Sequence, residues 1–176
     1  MKILLGVTGS ISIYKVVELQ RLFQKNGDEV TVIMTASACK MMSHVIFETF
    51  SPGRVFTEMF GCNSDQLIHI NAVDNNDLFV VAPASANIIG KFANGIADDL
   101  LSTTFLAWNK NIVIAPAMNS NMLNNPVVVH NLSLLKDRGI KIINPETGEL
   151  ACSKYGDGRL PDVKDIFKFC MKQIND

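Results

Sequence analysis

Ile112-Val113-Ile114-Ala115-Pro116-Ala117-Met118-Asn119-Ser120-Asn121-Met122 is an apolar run that stops at a proline and hands over to asparagines. A run of this length bounded by turn residues reads as a strand buried in a parallel sheet, and open α/β sheets bind ligands at the carboxyl ends of such strands. Asn119 therefore either caps the helix that follows or faces a ligand, to which its amide offers an acceptor and two donors without net charge. Leu78-Phe79-Val80-Val81-Ala82-Pro83 repeats the pattern, so two strands share one ending.

Outward from these two runs, strand and helix signals alternate. Lys2 to Val7 reads as a strand and Thr8-Gly9-Ser10 as a tight turn; Ile13, Val16, Val17, Leu22 and Phe23 then fall near helical spacing, with Gly27 as the stop. Val30 to Met34 is a second strand, followed by Thr35-Ala36-Ser37, a small polar turn able to open a helix. Val45 to Phe50 is ambiguous between strand and helix. Helices are expected from about Ser85 to Ala93, Ala97 to Ala107 and Pro126 to Arg138, then a strand from Ile140 to Ile143. Val163, Ile166, Phe167, Cys170 and Ile174 form the stripe of a last amphipathic helix. The pattern predicts one α/β domain over residues 1–176, a three-layer parallel-sheet sandwich of Rossmann-like or flavodoxin-like type.

The bulk properties narrow the partners. With 176 residues, 48% hydrophobic and 19% charged, and a net charge of −1, the chain has an ordinary globular composition and no basic face for nucleic acid. Met1 to Thr8 carries one lysine and too short an apolar run for a signal peptide, and no run approaches a membrane span. Cys39, Cys62, Cys152 and Cys170 match neither a zinc site nor a small disulfide framework. They read as free thiols of a cytoplasmic protein, with no metal expected.

Four segments are placed to carry chemistry. Thr8-Gly9-Ser10-Ile11-Ser12 opens a helix and reads as a phosphate cradle or an ordinary βα turn; it has neither the dinucleotide glycine fingerprint nor a Walker sequence. Pro83-Ala84-Ser85-Ala86-Asn87-Ile88, continued by Gly95-Ile96-Ala97-Asp98-Asp99-Leu100-Leu101, reads as a ligand-facing helix start or simply a well-capped one. Among the histidines, His44 and His130 look like surface or partly buried residues, while His69 is either a general base or a satisfied structural side chain. Gly148 to Pro161 has the composition of a mobile loop, in which Cys152 is able to donate a proton and Lys154 or Arg159 to meet an anion; the alternative is a solvated surface loop.

Taken in order, Val7-Thr8-Gly9-Ser10-Ile11, His69, Pro83-Ala84-Ser85-Ala86-Asn87, Pro116-Ala117-Met118-Asn119-Ser120-Asn121-Met122 and Leu150-Ala151-Cys152 resemble the flavin-dependent cysteine decarboxylases, over Lys2 to about Pro161. The resemblance implies FMN held by Gly9, Ser10 and Ile11, by Thr35, Ala36 and Ser37, by Ser85, Ala86, Asn87 and Ile88, and by Ala117. It also implies a homotrimer or a dodecamer of trimers, with the flavin at a subunit boundary. In this family the flavin oxidises the substrate to a thioaldehyde, decarboxylation yields an enethiolate, His69 would be the acid/base, and Asn119 would hold the carboxylate or neighbouring amide. The loop around Glu149, Leu150 and Ala151 would close on the substrate.

In the coenzyme A branch a loop cysteine donates the proton that completes re-reduction, and Cys152 favours that branch. The implied substrate is 4'-phospho-N-pantothenoylcysteine and the product 4'-phosphopantetheine. The alternatives are a peptidyl-cysteine decarboxylase, which would lack that cysteine, and a non-catalytic regulatory flavoprotein; the Pro-Ala-Met-Asn and Leu-Ala-Cys elements count against a flavin prenyltransferase. Three departures stand out: Ile88 in place of a common threonine, Leu123 in place of an aromatic residue, and a less glycine-rich Ser153 to Arg159 segment. With Asp176 as the last residue, a separate synthetase protein is expected to supply the substrate.

Overall fold

Every residue of β4 (Leu78–Ala84) and β5 (Ile112–Pro116) is buried, as both faces of a parallel strand must be when helices cover the sheet on each side. The computed structural model describes residues 1–60, 67–149 and 155–173. With β1 (Lys2–Val7), β2 (Glu29–Met34), β3 (Val55–Phe56) and β6 (Lys141–Ile142), these strands form a six-stranded sheet in the order β3-β2-β1-β4-β5-β6. All five pairings are parallel. This is the Rossmann order, and the chain reverses direction across the sheet between β1 and β4. That crevice is where a ligand belongs.

Two apolar layers sandwich the sheet because neighbouring strand residues point to opposite faces. Ile3, Leu5, Val7, Val80 and Ala82 pack with Val16, Leu19 and Phe23 of α1 (Ile13–Lys25) and with Ile166 and Cys170 of α9 (Val163–Lys172). Leu4, Phe79, Val81 and Ile114 pack on the other face. There they meet Ile88 and Phe92 of α5 (Ala86–Asn94), Leu101 of α6 (Leu100–Ala107) and Leu135 of α8 (Pro126–Asp137).

Local chemistry sets the helix limits. Gly95 closes α5 in the left-handed conformation at φ 67°, and Asp99 then caps α6 in a reciprocal arrangement with Ser102. The helix expected from Ala97 thus begins at Leu100. Lys91 bridges Asp98 at 2.5 Å and Asp99 at 2.6 Å, which explains much of the Gly95 to Leu101 string as structural joinery. Burial pushes the Asp99 carboxyl up, but the Lys91 ammonium and the Ser102 donors outweigh it and leave its pKa lowered.

Several segments gain definition, and one expectation is corrected. Val45 to Phe50 resolves as a short helix, α3 (Val45–Glu48), after another short one, α2 (Ala36–Met41). His69 lies on a helix, α4 (Ile68–Asp74), and the segment after Ile143 is no simple loop. It contains β7 (Glu146–Glu149) and β8 (Tyr155–Arg159), an antiparallel hairpin whose glycines had obscured its strand character. Cys170 is buried and its thiol pushed up to about 12, while burial and the Glu58 charge raise that of Cys39, so neither is a ready thiolate. Cys62, Cys152 and Ile174 lie outside the described residues. No helix among the described residues is long and apolar enough to cross a membrane.

Candidate functional site

A cavity of about 700 Å³ opens at the carboxyl end of the sheet, over the crevice between β1 and β4. One wall is the turn after β1, with Gly9, Ser10, Ile11 and Ser12, continued by Tyr14 and Lys15 in the first turn of α1. Ser85 and Ala86 come from the end of β4 and the start of α5. Ala117, Met118, Asn119 and Met122 follow β5, and Glu149, Gly158 and Arg159 come from the hairpin.

Thr8 holds the crevice together. Its buried hydroxyl donates to the Pro83 carbonyl at 2.6 Å and accepts from the Ser85 N–H at 3.0 Å, tying the two turns across the switch point. Thr8→Val keeps the shape but orphans both backbone groups, so it is expected to cost about 2 kcal/mol or more in urea unfolding. A loss under half that size would show the staple to be dispensable.

Gly9 brings in the turn after β2. A Cβ there would lie 2.7 Å from Ser37 Cβ, so only glycine permits this approach. Thr35 donates its N–H to the Val7 carbonyl at 3.0 Å, and its hydroxyl accepts from Ala38 N at 3.3 Å. The Thr35-Ala36-Ser37 turn therefore backs the cavity wall without lining it.

The third side is a clasp. Ala117 N–H donates to the Ala84 carbonyl and Met118 N–H to the Gly158 carbonyl, both at 3.0 Å, and the Ser120 hydroxyl donates to the Asp157 carbonyl at 2.5 Å. Asn119 caps α7 (Ser120–Leu123) with its own side chain, whose carbonyl accepts from Asn121 N at 2.9 Å. Cap and cavity wall are thus one side chain, so the two readings of Asn119 hold together.

Of the residues singled out from sequence, Gly9, Ser10, Ile11, Ser12, Ser85, Ala86, Ala117, Asn119, Glu149 and Arg159 line this cavity. Asn87 is exposed on α5 and does not. Ile88 is fully buried beneath it in the apolar layer, so the departure from threonine removes no hydroxyl from the cavity lining. His69, partly buried at the start of α4, is not among the lining residues. Leu150, Ala151 and Cys152 fall outside the described residues. Tyr14, Lys15, Met118, Met122 and Gly158 are lining residues that sequence reasoning did not single out. For Tyr14 and Lys15 a signal existed, because they stand three and four positions after Ile11 and so share its side of the helix start.

The Flavoprotein family pattern matches residues 1–175. The chain belongs to the Flavoprotein family. It is 45% identical over 173 residues to the coenzyme A biosynthesis bifunctional protein of Bacillus subtilis, covering 98% of this chain and 43% of that one. The chain thus spans less than half the length of that relative. With the probable phosphopantothenoylcysteine decarboxylase of Streptococcus mutans the identity is 36% over 176 residues, and 98% of each chain is covered. Among solved structures, the FMN-dependent cysteine decarboxylase SpaF matches with a TM-score of 0.86 at 29% identity, covering 100% of this chain and 98% of that one. The Flavoprotein cavity is chemically suited to a flavin nucleotide. Ser10, Ser12 and Ser85 supply hydroxyls, helix starts supply N–H groups for a phosphate, and Ala86 and Ala117 leave room for a flat ring.

Proposed function

We propose that this cavity binds FMN and decarboxylates 4'-phospho-N-pantothenoylcysteine to 4'-phosphopantetheine. The observation that carries the reading is the convergence of Asn119 with Gly9, Ser10, Ile11, Ser85 and Ala117 around one space. Support comes from the S. mutans relative, named for this reaction and matched along its length, and from SpaF, named for FMN and for cysteine decarboxylation.

Loss of CO2 from an unmodified cysteine carboxylate would leave an unstabilised carbanion, and FMN, when bound, supplies a reversible two-electron oxidation that removes this obstacle. Gly9, Ser10, Ile11, Ser85 and Ala86 would hold its phosphate and ribityl chain, and Ala117 would border the ring. Asn119 binds the substrate carboxylate or adjacent amide, its orientation fixed by the cap on Asn121 N. His69 takes up and returns the protons as the acid/base of the reaction. The overall balance exchanges the carboxylate, leaving as CO2, for one proton.

His69 serves the cavity of a neighbouring subunit in this reading, within a trimer or a dodecamer of trimers. In its own chain it does not line the cavity, and its neighbours Leu67 and Ile70 are exposed apolar residues at 64% and 37%. Ile11, Tyr14 and Met122 on the cavity rim are likewise exposed, and an adjoining subunit would cover both sets. Burial of these faces between copies also gives the cavity the water exclusion that proton control needs.

Cys152 is assigned the proton of the final reduction. With Cys152→Ser, CO2 release is expected to continue while an enethiol product accumulates, read by mass spectrometry of the reaction mixture. Undiminished 4'-phosphopantetheine output would remove Cys152 from the mechanism.

A further inference from the structure

Arg159 stands directly opposite Glu146 in the β7–β8 hairpin, a position at which opposite charges ordinarily pair across strands. Here they are kept apart. Glu146 Oε1 accepts from the backbone N–H of Asp162 at 2.9 Å, at the start of α9. The Arg159 side chain runs over Gly148, where an added Cβ would lie 3.2 Å from its Nη1 and 3.4 Å from its Cδ. Its backbone is fixed by the preceding residue, since Gly158 accepts from Met118 N at 3.0 Å. Arg159 lines the cavity, and among the described residues no carboxylate forms an ion pair with it, neighbouring Glu149 included. A planar, permanently charged fork kept from its cross-strand partner and held on a cavity wall is suited to an incoming oxyanion.

We propose that Arg159 binds the phosphate monoester of the substrate and thereby selects the phosphorylated acyl-cysteine over its unphosphorylated form. This rests on the decarboxylase reading above. The substrate carries two anions, and they differ in fate. Charge leaves the carboxylate as CO2 departs, so a cation fixed there would stabilise the ground state more than the transition state and slow the reaction. The phosphate keeps its charge throughout, so a guanidinium on it strengthens binding without that penalty. The phosphate of the flavin is the other source of the same chemistry, and the experiment below separates the two.

The test measures kcat and KM with phosphorylated and unphosphorylated pantothenoylcysteine, together with FMN content, for the wild type, Arg159→Met, Arg159→Lys and Gly148→Val. Removal of charge-assisted hydrogen bonds is expected to lower the preference for the phosphorylated substrate about 10- to 100-fold in Arg159→Met, mainly through KM. Arg159→Lys should retain part of the preference. Gly148→Val, which displaces the guanidinium, should lose it without touching the charge. FMN content should stay at the wild-type level in all of them. An unchanged preference in Arg159→Met overturns the inference, and so does loss of FMN with the preference intact, which would assign Arg159 to the flavin phosphate. If the FMN-loaded wild type decarboxylates neither substrate, the decarboxylase reading has failed and the inference falls with it. If it decarboxylates both and Arg159→Met leaves their ratio unchanged, the inference alone has failed.

Discussion

Gly158→Ala is expected to destabilise the protein by at least about 3 kcal/mol and to reduce turnover more than about 100-fold. The added methyl would sit 2.1 Å from the Met118 carbonyl oxygen and 3.2 Å from its carbon, and the residue has φ +117°. Backbone meets backbone there, so no side-chain rotation relieves the overlap. Relief requires the hairpin to move away from the β5 turn, which breaks the bond from Met118 N to the Gly158 carbonyl. The displaced hairpin carries Arg159 and the turn it leaves carries Asn119, both on the cavity wall. Because the parallel sheet does not depend on the hairpin, far-ultraviolet circular dichroism should remain near wild type while the thermal midpoint falls. Gly53→Ala is the matched control. Gly53 also has positive φ, at +70°, but nothing lies within 4 Å of its added Cβ, so only about 1 kcal/mol is expected. Equal effects at the two positions would show that the clasp contributes nothing beyond backbone preference.

The second large effect is expected at His69. His69→Asn should lower turnover about 10²- to 10⁴-fold, the range for loss of a positioned acid/base, with flavin content maintained. Its position away from the cavity of its own chain adds a sharper consequence. Asn119→Asp places a negative charge beside the bound carboxylate and is expected to be inactive alone. When the two inactive variants are co-assembled in equal amounts, about a quarter of the sites would combine an intact Asn119 from one subunit with an intact His69 from its neighbour. Activity should return to about that fraction of wild type. If His69 acted in its own chain's cavity, every site would lack one group and mixing would restore nothing.

The legible parts of this chain were those governed by local pattern. Apolar runs ending in Ala-Pro marked β4 and β5, and a small-residue turn after Val7 marked the opening of α1, because burial on both faces and helix initiation leave their signatures in short windows. What those windows could not show depends on contacts between distant segments. Thr8 looked like one more polar turn residue until its hydroxyl was seen to join Pro83 and Ser85, both more than seventy residues away. Gly158 looked like loop flexibility, although its role is steric, set by Met118 forty residues earlier. The hairpin escaped notice because Glu146-Thr147-Gly148-Glu149 and Tyr155-Gly156-Asp157-Gly158-Arg159 lack the β-branched alternation of ordinary strands. Ile88 shows the reverse case: the resemblance implied a cofactor contact there, while the helical period turns its side chain into the core.

The central claim is that the crevice between β1 and β4 is an FMN site committed to a phosphorylated acyl-cysteine. It is tested most directly by incubating the purified, FMN-loaded protein with 4'-phospho-N-pantothenoylcysteine and, separately, with a peptide ending in cysteine, and measuring CO2 and products. The account predicts CO2 and 4'-phosphopantetheine from the first and no turnover of the second. Decarboxylation of the peptide alone, or of neither substrate by protein that holds FMN, would contradict it.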